Sequence, residues 1–200
     1  AAEKFDGQGS DLWLIDYTPG GKNDRFTFGP GRESGPVWSP DGTQIAFAAG
    51  TPGTAYNFFR KPSNLAGDQV ELFKSNELKM LTDWSRDGKT LVFMSSSGTQ
   101  DLWSMTLGTS DKNGSGKEGG PKAEVFLKTD VMEQNGKLSP DGRWIAYASN
   151  ATGRNEIYVR PFPLSADRTG QQMVSIGGGR FPLWRRDGKE LFYEYAGPSS

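Results

Sequence analysis

The sequence predicts an all-β fold, a β-propeller of four-stranded antiparallel blades, from three observations. A turn-centred motif recurs four times, glycine is abundant, and apolar residues fall in short runs with no long Ala/Leu/Glu/Lys stretch. Glycine supplies 27 of the 200 residues, about twice its usual ~7%, which calls for many tight turns. Twelve Phe, six Trp and six Tyr provide apolar mass, and a formal net charge of −1 leaves little self-repulsion to keep the chain unfolded. One ordered domain over 1–200, or a piece of a larger propeller, is expected.

The motif reads VWSPDGTQIAF at 37–47, DWSRDGKTLVF at 83–93, KLSPDGRWIAY at 137–147 and LWRRDGKELFY at 183–193. Its Asp-Gly pairs begin at Asp41, Asp87, Asp141 and Asp187, at intervals of 46, 54 and 46 residues. The longer interval holds TSDKNGSGKEGG at 109–120, whose composition marks a surface loop. In each copy a first strand ends at Trp38, Trp84, Leu138 or Trp184, the Asp-Gly turn follows, and a second strand carries Ile45/Phe47, Leu91/Phe93, Ile145/Tyr147 or Leu191/Tyr193. The third strands are YNFFRK, DLWSMTL and EIYVRPF, and the fourth are QVELFK, AEVFLK and QMVSI. Residues between the apolar ones are also small or apolar (Ala46, Val92, Ala146, Phe192), so both sheet faces are expected to be buried, as in blades stacked face to face. The blades are expected over about 36–76, 78–128 and 131–177. A composite blade is expected from 179–196 with 10–29, clasping the two ends and covering sheet edges. The Trp column is expected to anchor each blade, and the four Asp to serve their turns, Asp bonding nearby N–H groups and Gly taking positive φ.

The WSPDG-type signature at 38–47, LSPDGRWIAY at 138–147 and NATGRNEIYVRPFP at 150–163 resemble the PD40, or TolB-like, β-propeller repeat. The segment GGGRFPLWRRDGKELFY is most similar to the propellers attached C-terminally to bacterial receptor-type serine/threonine kinases. The resemblance spans about 10–195. It departs from the pattern at Arg86 and Arg186, which replace the Pro of SPDG, and at Leu138, which replaces Trp. It implies a bacterial, extracytoplasmic docking, gating or sensing domain.

The absences narrow the chemistry. Without histidine there is no Ser/His/Asp triad and no His-bound metal, and without cysteine no thiol nucleophile, disulfide or thiolate metal site. No apolar run approaches the ~20 residues that span a bilayer, so no membrane insertion is expected. The chain begins without Met in loop-like sequence, which fits an excised fragment. Nucleic-acid binding lacks a basic footprint, since Arg180, Arg185, Arg186 and Lys189 are the one local concentration. GSGKEGG fails as a phosphate loop because Glu118 stands where Ser or Thr belongs and Asp111 where glycine belongs. Asn113 and Asn150 open glycosylation sequons whose use is not expected in a bacterial chain.

Any ligand site is expected at the axial channel, lined by the starts of the first strands. Counting back from Trp38, Trp84, Leu138 and Trp184 selects Glu33, Ser34, Lys79, Glu133, Gln134 and Arg180, with Asp83 and Lys137 as secondary candidates. These side chains form either a solvated ion-pair ring or, through Glu33 and Glu133, a site for Ca²⁺, a hard ion that takes oxygen ligands. The leading expectation is a non-catalytic binding or sensing module for a protein or small ligand. The alternatives are a Ca²⁺-assisted hydrolase of esters, lactones or phosphoesters, and a propeller fragment that self-associates into a homo-oligomer.

Overall fold

The computed structural model describes residues 1–5, 9–29, 31–51, 53–95, 98–108, 120–163, 170–195 and 197. The insertion expected at 109–120 lies outside these up to residue 119, and with it Asp111, the Asn113 sequon and Glu118. The chain divides into two compact units, 1–81 and 82–200. All described regular structure is β.

In the first unit the strands are β1 (Ala2–Phe5), β2 (Ser10–Ile15), β3 (Asn23–Arg25), β4 (Arg32–Trp38), β5 (Gln44–Gly50), β6 (Asn57–Pro62) and β7 (Val70–Phe73). β4 to β7 pair in chain order as an antiparallel blade. Residue Ser10 of β2 bridges Arg32 of β4 in parallel, while β1 and β3 pair antiparallel with β2. Leu12 and Phe26 pack on Ile45 and Phe47, all fully buried, and Phe26 meets Phe47 edge-on at 6.0 Å.

The boundary between the units falls within β8 (Lys79–Trp84). β9 (Thr90–Ser95), β10 (Asp101–Thr106) and β11 (Lys122–Leu127) follow it as one four-stranded sheet. The next sheet is β12 (Glu133–Leu138), β13 (Trp144–Ser149), β14 (Glu156–Pro161) and β15 (Gln172–Met173). β16 (Arg180–Trp184) and β17 (Leu191–Glu194) form a two-stranded sheet. Val92 and Leu102 pack with Ile145, Tyr147 and Tyr158 in one buried cluster, which is the alternation both-faced burial requires.

The Asp-Gly turns are built alike. Asp41 Oδ1 accepts from Ser39 Oγ at 2.6 Å and from Thr43 N at 3.0 Å. Asp87 repeats this with Ser85 and Lys89, and Asp141 with Ser139 and Arg143. The glycines hold φ between 71° and 75°, which a Cβ disfavours. Each carboxylate is engaged by its own turn.

One expectation changes, and one strand is added. The four residues Ala2–Phe5, which alternate too weakly to read as a strand, form β1 along an edge of β2. The Trp column is not the anchor. Trp38 is 44% exposed, whereas Phe47, Phe93 and Tyr147 on the second strands are buried. The Trp residues stand at the turn end of the blade, where cover is thinner.

The first strands also carry a repeated bulge, between Ser34 and Val37, Gln134 and Lys137, and Arg180 and Leu183. The bulge places Gly35, Asn135 and Phe181 at φ 58°, 55° and 50°. Gly and Asn tolerate this left-handed conformation, whereas a bulky Phe there is costly.

Candidate functional site

The start of each first strand lies beside the start of a third strand, and there the candidate side chains fall. In the first unit Glu33 opens β4 close to Asp11 of β2, both buried. Thr27 joins them: its Oγ1 donates toward Asp11 Oδ1 at 3.5 Å and Glu33 Oε2 at 3.4 Å while accepting from Leu12 N at 2.9 Å. Arg25 pairs with Asp11 Oδ2. Burial, and then the neighbouring Asp11 charge, raise the Glu33 carboxyl above its ordinary range. Ser34 is buried with its hydroxyl unpartnered. Lys79, also buried, donates to Ser75 Oγ at 2.8 Å, stands 3.6 Å from Glu77 and lies over the Phe73 ring.

In the second unit Glu133 opens β12 and is 2% exposed. Its Oε1 accepts from Thr129 Oγ1, its backbone N–H donates to Gln100 O, and its Oε2 has no partner. Its carboxyl is pushed up to about 7, chiefly by burial, which the Thr129 bond opposes, with smaller contributions from Asp101, which raises it, and Arg160, which lowers it. Gln134 is half-buried beside it. Asp83 and Lys137 act between sheets: Asp83 Oδ2 accepts from Leu138 N at 2.7 Å, and Lys137 Nζ donates to Thr82 O. Burial raises the Asp83 carboxyl, and Lys137 opposes that shift. Arg180 is exposed on β16.

The structure therefore brings Glu33 to Asp11 and Glu133 to Asp101, and ties Asp83 to the strand that carries Lys137. The acidic partners were not singled out in the sequence, although the repeat marks them. Asn57, Asp101 and Glu156 each open a third strand and Asp11 is the second residue of its strand, each just before an apolar residue, Phe58, Leu102, Ile157 and Leu12. Thr27, Ser75 and Ser175 meet Asp11, Asn57 and Glu156, and Thr129 stands at the corresponding place in the remaining copy. Ser175 Oγ accepts from Ile157 N at 2.7 Å as Thr27 does from Leu12 N, and Glu156 accepts from Gly177 N and Gly178 N. Thr27 and Ser175 thus hold the third strand through their hydroxyls, Ser75 does so through its backbone N–H to Asn57 Oδ1, and the Thr129 hydroxyl turns to Glu133 instead. For a hard ion each unit offers two carboxylates and a threonine hydroxyl. Among the described residues no group of three or more Asp or Glu is gathered to hold a metal ion.

No family model matches the sequence. The structure aligns with TolB from Acinetobacter baumannii at a TM-score of 0.69 over 94% of this chain and 44% of that one, with 17% identity. Putative TolB from Agrobacterium tumefaciens gives 0.59 over 88% and 74%, also at 17% identity. The fold is a TolB-like β-propeller.

Among curated proteins, the uncharacterized peptidase YuxL of Bacillus subtilis is 26% identical over 189 residues, covering 75% of this chain and 26% of its own length. The propeller described here thus spans about a quarter of that relative and under half of the Acinetobacter TolB chain. Further structural neighbours include a prolyl endopeptidase (TM-score 0.62, 14% identity, 96% of this chain and 28% of that one) and a nidogen/laminin complex (0.61, 11%, 88% and 61%). Within this propeller the buried acids are engaged mainly with the fold's own hydroxyls, amides and cations.

Proposed function

We propose that this propeller is a protein-docking module that contributes no catalytic group of its own, and that it docks through the outer face of β16–β17. The observation that carries this reading is an uncovered blade face. Leu183 and Phe192 pair across the two strands and are 60% and 53% exposed. Of their counterparts in other copies of the repeat, Val37, Ala46, Val92 and Ala146 are buried, and Asp83 and Lys137 are half-buried. Phe181 adds a second ring at 57% exposure, kept at positive φ where the first and third copies use Gly35 and Asn135. Covering each side chain gives on the order of 1 kcal/mol.

The surface complementary to this face is that of another blade of the same repeat, so a second copy is the natural occupant for the isolated chain. Light scattering at rising concentration tests this. The expected mass exceeds the 21.9 kDa monomer and returns to it in Leu183→Lys/Phe192→Lys with an unchanged circular dichroism spectrum. A wild type that stays monomeric throughout overturns it. The likeness to TolB and to a nidogen/laminin complex supports docking, and the peptidase relative does not oppose it. A Ser-His-Asp centre needs an imidazole, and these 200 residues hold none.

A second reading, Ca²⁺-assisted hydrolysis, has one observation in its favour: the buried, unpartnered Oε2 of Glu133 near Asp101. It requires that Ca²⁺ raise the melting temperature, that Glu133→Gln abolish that rise, and that EDTA remove esterase turnover. Turnover unaffected by EDTA eliminates it.

A further inference from the structure

The repeat supplies an internal control for one cleft. Two clefts of the second unit occupy equivalent places at the turn end of successive sheets. The first, of about 360 Å³, is lined by Ser85, Asp87, Thr90, Leu138, Asp141 and Gly142 among others. The second, of about 440 Å³, presents the corresponding Ser139, Asp141, Trp144, Trp184, Asp187 and Gly188. At two matching positions, therefore, Thr90 and Leu138 give way to Trp144 and Trp184. The Trp144 position is polar in every other copy (Gln44, Thr90, Glu190), yet this indole is 40% exposed. Blade packing does not ask for it.

The ring faces of this cleft are also open. Elsewhere three surface rings carry a cation: Lys4 lies over Trp13 at 4.6 Å, Arg25 over Phe28 at 5.1 Å and Arg32 over Phe5 at 5.2 Å. Among the described residues, neither a cation nor another aromatic ring lies over Trp144 or Trp184. The nearby carboxylates do not call for a cationic ligand, because each already has a guanidinium. Arg143 Nε meets Asp141 Oδ2 at 2.7 Å, and Arg185 Nη2 meets Asp187 Oδ2 at 2.6 Å. The cleft is thus two indole surfaces rimmed by charge-balanced donors and acceptors, with the exposed Gln172 amide beside them.

We propose that the cleft between β12–β15 and β16–β17 binds a neutral saccharide, the indoles of Trp144 and Trp184 stacking on its C–H face while Asp141, Arg143, Gln172 and Asp187 exchange hydrogen bonds with its hydroxyls. A pyranose combines a flat apolar face with a rim of groups that both donate and accept, which is what this lining complements. A charged ligand would have to displace an existing ion pair, and a wholly apolar one would leave the polar rim unpaired. The site is separate from the β16–β17 docking face and stands or falls independently of it.

The experiment is calorimetric titration of the whole chain with cellotetraose, maltotetraose and N-acetylchitotetraose, with a proline-rich decapeptide run in parallel. At least one saccharide is expected to bind. Trp144→Thr, which installs the residue of the equivalent cleft, weakens that binding about tenfold or more. Trp144→Thr/Trp184→Leu abolishes it. Trp184 also donates through Nε1 to Lys137 O, so the single Trp144→Thr variant is the fold-preserving test, with the melting temperature as its check. Three results overturn the proposal: no saccharide binds, saccharide binding is unchanged in the double variant, or the peptide alone binds and is lost in Trp144→Thr.

Discussion

Glu33 and Glu133 open equivalent strands beside equivalent acids, yet their surroundings differ. In the first unit, Arg25 reaches Asp11, and Thr27 touches both carboxylates and Leu12 N. In the second, Thr129 bonds one oxygen of Glu133 and leaves the other unpartnered, while the cation on Asp101 is Lys128, at 3.5 Å and largely exposed. One repeat position therefore supports a compensated acid pair in one unit and an under-solvated, proton-retaining carboxyl in the other. The backbone fixes where the acid stands, and the neighbouring side chains fix its charge.

The largest way to break this comparison is pH. The folded carboxyl of Glu133 is pushed up to about 7 from an ordinary 4.5, so between those values the native state holds a proton that the unfolded chain releases. Its contribution to stability is full below about 4.5 and falls as pH rises to about 7, by at most about 3 kcal/mol. Urea unfolding across this range is expected to show the decline, and Glu133→Gln to flatten it. The raised carboxyl of Glu33 adds a decline of the same sign.

Next is Arg25→Ala, which leaves Asp11 and Glu33 facing each other with less compensation. A loss of about 2 kcal/mol is expected at neutral pH, reduced from the fully buried case because Arg25 is partly exposed. Recovery of stability at acidic pH, where Glu33 protonates, would trace the effect to the acid pair. Thr27→Val and Thr129→Val are expected to cost about 1 kcal/mol each, but with different signatures. Thr129→Val removes a bond that lowers the Glu133 carboxyl, so its pH-dependent decline moves to higher pH. Thr27→Val chiefly loses the acceptor for Leu12 N. The smallest effect is expected from Lys128→Ala, below about 0.5 kcal/mol, because an exposed ammonium is well solvated. A loss as large as that of Arg25→Ala would show that the two units are compensated alike.

The strands and turns were legible because the repeat is strong. Ile45/Phe47, Leu91/Phe93 and Ile145/Tyr147 became buried second strands, and Asp41, Asp87 and Asp141 became turn acceptors. The candidate acids were half-legible. Glu33 and Glu133 were found by counting along one strand, but Asp11 and Asp101 lie far from them in sequence and meet them only where separate strands come together, Asp11 on the neighbouring strand of one sheet and Asp101 on another sheet. The Trp residues were misjudged because size was taken for burial, while their place beside the turns leaves them half-covered. Ala2–Phe5 was missed because a short edge strand needs only a partner's backbone, which leaves little trace in side-chain pattern.

By itself, the sequence determined the blade and its repetition, and its lack of histidine and cysteine leaves these 200 residues without an imidazole or a thiol. Those conclusions rest on local properties: alternation, glycine φ and side-chain chemistry. Only the tertiary structure decided which acids share a buried site, which blade face is left bare, and that of two equivalent clefts one is walled by tryptophan. Each of these depends on which residues from distant strands come to share one small volume, and alternation along a single strand carries no record of that.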